Sequence, residues 1–130
     1  MLLRYLIALA LFMHGIGHVL FLMNSWGLAR TDAGRSWLFS GVLGAGQTVE
    51  GIFGLLWLGP LIGFLAVTWG YFTQQGWWPQ LALASAALSL VLIVFWWGAI
   101  NTSSAFFALV FDVAVIVVVL WQLRAGTLAS

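Results

Sequence analysis

Long apolar runs separated by short polar breaks set the plan of this chain. The first run extends from Leu2 to Met23, and the polar stretch Asn24 to Ser36 (NSWGLARTDAGRS) closes it. A brief apolar, glycine-rich piece follows, Trp37 to Gly46 (WLFSGVLGAG). It is too short to span a bilayer by itself, and it reads as an interfacial or re-entrant segment or as the start of the next helix. A second long run then reaches Phe72, and TQQGWWPQ (Thr73 to Gln80) breaks it. A third run ends at the tight polar turn Asn101-Thr102-Ser103-Ser104, and a fourth ends near Arg124. A helix that crosses the hydrocarbon core needs about 20 apolar residues. The pattern therefore predicts an all-α, four-helix transmembrane bundle, with helices over about 3–23, 49–72, 80–100 and 105–123.

Local signals refine these bounds. Thr48 is a candidate cap for the second helix, with Glu50 in the first turn, where the helix dipole favours a carboxylate. Pro60 falls near the middle of that helix and should kink it. Gly59 and Gly63 form a GxxxG pair, a pattern that lets helices pack closely in membranes. A rival reading splits the region at Gly59-Pro60 into 37–58 and 61–77, giving five spans. Pro79 suits the first turn of the third helix. Ala82, Ala86, Ser85 and Ser89 give that helix a small-residue face, and Trp96 and Trp97 mark its far end as interfacial. Ser104 is a candidate cap for the fourth helix.

Composition strengthens the membrane assignment. Of 130 residues, 64% are hydrophobic and only 5% charged, against about 25% charged in a soluble domain. One domain over 1–130 is the natural count, with the lipid bilayer as its surroundings. The first run is longer than a typical signal-peptide core and no clear small-x-small cleavage pattern follows, so it reads as a retained helix. There is no cysteine, which excludes disulfides and thiolate chemistry. Four arginines, no lysine and three acids leave no basic patch for nucleic acid. Arg30 and Arg35 read most simply as loop charges. Arg4, Arg124 and the amino terminus share one side of a four-span chain, which leans towards cytoplasmic termini in a bacterial inner membrane.

Against this apolar background the titratable residues stand out. His14 and His18, in HGIGH, lie one turn apart on one face of the first helix. Ionisable groups at bilayer depth are costly and face a bundle interior, a cavity or a partner. Measured from the end that carries the first loop, a rise of 1.5 Å per residue puts His18 roughly 8 Å deep, His14 about 14 Å and Asp112 about 12 Å. The acid of the fourth helix thus falls between the two imidazoles. Asp112 is expected to face the first helix and pair with His14 or His18. Removal from water disfavours the charged form of either group, and pairing offsets that cost. Glu50 lies nearer the mouth, with Gln47 and Asn101.

The plain reading of this group is a set of hydrogen-bonded residues that fix helix packing. The functional readings are several. His14, His18 and Asp112, with Glu50 as a shallower fourth, are the donor types of a metal site. One histidine can ligate haem, the apolar surroundings suit a quinone, and alternating titratable groups can relay protons.

The length, the four-span plan, HGIGH in the first helix and FWWG at the end of the third resemble small bacterial membrane proteins of the DoxX-like four-helix group. That resemblance implies a redox-linked partnership and no site residue. The leading functional expectation is a small membrane protein with an intramembrane His/Asp site that binds a metal, haem or quinone or relays protons. The alternatives are a non-catalytic accessory subunit of a larger membrane complex, and a small homo-oligomeric transporter or channel.

Overall fold

The computed structural model describes residues 1–28, 36–99 and 102–126. The expectations on Arg30, Arg35 and Asn101 lie outside them. The elements are α1 (Leu2–Ser25), a π-helical turn (Trp37–Val42), α2 (Gln47–Gly54), a 3-10 turn (Leu55–Trp57), α3 (Leu58–Phe72), α4 (Trp78–Phe95) and α5 (Thr102–Arg124). Four stretches are long and apolar enough to cross a membrane: Leu2–Ser25, Gln47–Phe72, Trp78–Phe95 and Ser103–Arg124. The chain is an all-α integral membrane bundle. α2, the 3-10 turn and α3 run on as one span, so the five-span reading is set aside.

The details of the second span follow from Pro60. Its ring removes a backbone donor and crowds the carbonyl four residues earlier, at Leu56. The helix tightens into the 3-10 turn around that carbonyl. The span starts at Gln47 with Gly46 as its N-cap, so Thr48 is inside the helix and does not cap it. The fourth span starts at Thr102, which places Ser104 inside the helix as well. α4 stops at Phe95, short of the expected 100, and a turn follows through Trp96. Trp96 is buried in the core against Phe39 and Trp57, whereas Trp97 is exposed. An interfacial role therefore fits Trp97 alone.

α1 outlasts its expected end by two residues before Gly27 stops it. Gly27 takes φ +67°, a conformation that favours glycine. Its N–H bonds to Asn24 O, and Leu28 N–H bonds to Met23 O at 2.9 Å, a Schellman ending. Trp37–Val42 forms neither a span nor the start of α2. It is a separate π turn, with Gly41 N–H reaching Ser36 O at 3.2 Å.

α1 packs on α3, α3 on α4, and α4 on α5. In lipid these contacts depend on close fit more than on exclusion of water. A Cβ on Gly63 would run into the Ser85 side chain, and one on Gly15 would sit 3.0 Å from Phe64 Cβ. These two glycines bring α3 against α4 and against α1. Most other apolar side chains face outwards, as a lipid-facing surface requires. α1 and α5 complete the ring but approach each other less closely than the other neighbours do.

Candidate functional site: a four-residue polar network inside the bundle

His14 and His18 project from α1 towards the bundle interior, where α4 and α5 meet them. His14 Nε2 lies 2.8 Å from Asp112 Oδ1. The other carboxylate oxygen, Oδ2, accepts from the Ser89 hydroxyl at 2.5 Å. Ser89 Oγ in turn lies 2.8 Å from His18 Nε2. The remaining ring nitrogen of His18, Nδ1, lies 2.9 Å from the His14 carbonyl oxygen one turn earlier. The result is a continuous chain of polar atoms, His14–Asp112–Ser89–His18, drawn from three helices. Asp112 and Ser89 are fully buried and His18 is 1% exposed. The His14 side chain retains 9% of its exposure.

The walls of this network are aromatic. Phe111 stacks on His14 with ring centroids 4.2 Å apart, and Phe64 meets the same ring edge-on at 4.7 Å. Phe64 also lies parallel to His18 at 5.8 Å. Gly15 makes this possible, because a side chain there would hold the Phe64 backbone away from α1. The low dielectric strengthens the hydrogen bonds inside and makes any broken one expensive.

With His14 Nε2–H kept on Asp112, two arrangements of protons satisfy all four contacts without moving a heavy atom. In both, His14 Nε2–H donates to Asp112 Oδ1 and His18 Nδ1–H donates to the His14 carbonyl. In the first, Asp112 is a carboxylate and His18 an imidazolium: His18 Nε2–H donates to Ser89 Oγ, and the Ser89 O–H donates to Asp112 Oδ2. In the second, Asp112 is a carboxylic acid and His18 is neutral: Asp112 Oδ2–H donates to Ser89 Oγ, and the Ser89 O–H donates to His18 Nε2. The two differ by one proton passed through a hydroxyl that both accepts and donates.

The same residues bear on a metal site. One ligand atom from each of His14, His18 and Asp112 lies within 4.8 Å of the others. Two ligands on one tetrahedral ion at zinc–nitrogen distances stand roughly 3.3 Å apart, whereas His14 Nε2 and Asp112 Oδ1 are 2.8 Å apart. Both ring nitrogens of His18 are also engaged. A metal could enter only by opening this network.

Glu50 is not part of it. Its Oε1 accepts from the Ser36 backbone N–H at 2.7 Å, and Ser40 Oγ lies 2.9 Å from Oε2. Glu50 thus holds the π turn against α2, in a second polar cluster. Ser89, by contrast, reads from the sequence only as a small packing residue. Depth arithmetic would have singled it out: it lies six residues before the end of α4, roughly 9 Å below the same face as His18 and Asp112. Comparison with family models, with curated proteins and with solved structures finds no match to this chain.

Proposed function

We propose that this protein is a small bacterial inner-membrane protein whose His14–Asp112–Ser89–His18 network exchanges and relays protons within the bilayer. The observation that carries the reading is the Ser89 hydroxyl, held 2.5 Å from Asp112 Oδ2 and 2.8 Å from His18 Nε2. A group that only braces helices needs a satisfied hydrogen bond. A relay needs a link that can reverse the direction of its proton, with titratable groups at both ends. Ser89 has both properties.

In this reading His14 is the outer end. A proton gained on its free ring nitrogen allows Nε2–H to pass to Asp112. Starting from the arrangement in which Asp112 is the acid, Asp112 takes that proton on Oδ1 and hands on the one already on Oδ2 to Ser89, which releases its own to His18 Nε2. The resemblance to DoxX-like proteins implies that the proton moves in step with a redox partner. Arg4 and Arg124 on the side of both termini favour a cytoplasmic location for that side.

The test is infrared and histidine 15N spectroscopy of the protein in lipid nanodiscs across pH. In the wild type a single proton should be taken up and shared, so that the Asp112 acid band and the His18 cation signal rise together over one step, their populations summing to one. In Ser89→Ala the two should titrate separately. Identical, independent titrations with and without the hydroxyl would end the relay reading and leave a packing role.

A further inference from the structure

We propose that the seam between α1 and α5 is a lateral groove for a neutral, lipid-soluble molecule with a hydroxyl or carbonyl head on an apolar tail, the head docking at His14. The proposal rests on the reading of His14 as the outer end of the relay, and it adds what the relay exchanges with.

Where α1 and α5 stand apart, two hollows open. One, of about 380 Å3, is lined by His14, Gly17, His18 and Phe107 among others. The other, of about 290 Å3, is lined by Leu11, Tyr71, Trp78 and Val119 among others. Ala10 and Phe111 line both, so the hollows form one furrow with Phe111 at its waist. The second hollow is almost wholly apolar along its length and suits a tail. The first has imidazole at its base and suits a head.

Two further observations point to a ligand at this spot. A Cβ on Gly17 would meet nothing within 4 Å, whereas one on Gly15 would press on Phe64. Helix packing therefore requires Gly15 and not Gly17, yet Gly17 keeps the space beside His14 open. His14 is also the member of the network that retains some exposure, and its ring already stacks on Phe111.

Charge selects the class of head. The chain has no lysine, and among the described residues no arginine lines either hollow. The Asp112 carboxyl lies 2.8 Å behind His14. An anionic head, whether a carboxylate or a phosphate, would find no permanent cation among the described lining residues and an acid behind His14. A neutral hydroxyl or carbonyl can exchange a hydrogen bond with the imidazole at no such cost.

The experiment is photo-crosslinking of the full chain in phosphatidylcholine vesicles with three probes carrying the same diazirine: hexadecanol, palmitic acid and phosphatidylcholine. Mass spectrometry would then map the labelled residues. The alcohol should label Ala10, Gly17 and Phe107 above the outward faces of the helices, with about a tenfold preference over the acid. Gly17→Leu should abolish that labelling while leaving the coupled His18–Asp112 titration intact. Ala10→Leu, on the opposite flank of His14, is a second variant that should act the same way. Equal labelling by all three probes, or labelling unaffected by both variants, would show bulk lipid in the furrow and overturn the proposal. Crosslinks to α5 of a second copy would overturn it too. In the wild type, no groove labelling with the coupled titration present removes the groove alone, whereas groove labelling without the coupled titration removes the relay.

Discussion

Two polar clusters are buried among the described residues, and they are built in opposite ways. Glu50 draws on residues close by in sequence, Ser36 and Ser40. One of its donors is a backbone N–H, which cannot give up its proton. The Ser40 hydroxyl lies 2.8 Å from the Ser36 carbonyl and 2.9 Å from Glu50, and its single proton can serve one at a time. The network of His14, Asp112, Ser89 and His18 joins α1, α4 and α5, residues as much as 98 apart in sequence. It is tied together mainly by side chains, two of whose kinds are titratable and one of which is a hydroxyl that can donate and accept. The first cluster can hold a turn in place. The second holds three helices together and, in the proposed reading, also moves a proton. Burial of a polar group is common to both, so burial alone does not tell them apart. What separates them is whether every link in the chain can change direction.

The sharpest way to break this comparison is to remove Asp112. Asp112→Ala leaves the partners of a fully buried carboxyl unpaired at once, and loss of one member of a buried pair costs about 3–5 kcal/mol. Thermal unfolding in detergent should show a large drop, and replacing His14 and His18 as well should recover part of it. A small drop, or no recovery, would mean that the three helices do not depend on the network. A smaller effect is expected from Glu50→Gln, which keeps an acceptor near Ser36 and gives up the charge. It should cost about 2 kcal/mol, in the range for hydrogen bonds to a charged group, and leave the histidine 15N shifts unchanged. A shift at His18 would show that the two clusters are coupled. The smallest effect should come from Ser36→Ala, which removes the hydroxyl that donates to Phe95 O at 2.6 Å and accepts from Phe39 N–H at 3.2 Å. About 1 kcal/mol is at stake. It should appear as faster amide exchange confined to the π turn, and faster exchange spreading into α4 would contradict a local role.

Much of the plan was legible in the residues. The spans at 49–72 and 105–123 lie within three residues of the observed helices, because a bilayer imposes a length and a polarity that composition must meet. The ends were less legible. α1 ran on to a Schellman turn at Gly27, and α4 stopped early because Trp96 folds back into the core. Thr48 and Ser104 have the side chains of caps, but tertiary packing started both helices before them. His14, His18 and Asp112 were singled out by rarity and depth, and the structure brings those three together while holding Glu50 apart. Ser89 escaped notice because a serine on a membrane helix reads first as a small residue.

The amino-acid sequence by itself determined that this chain is a helical membrane protein, roughly where its helices lie, and that three titratable side chains fall within about 6 Å of one another in depth, since hydropathy and helical rise act along the chain. Only the tertiary structure decided that Ser89 links Asp112 to His18, that Glu50 serves the π turn, and that α1 and α5 leave a furrow beside His14. Those outcomes depend on how each helix is rotated and how closely it approaches its neighbours, and close contacts such as Gly63 on Ser85 and Gly15 on Phe64 set both.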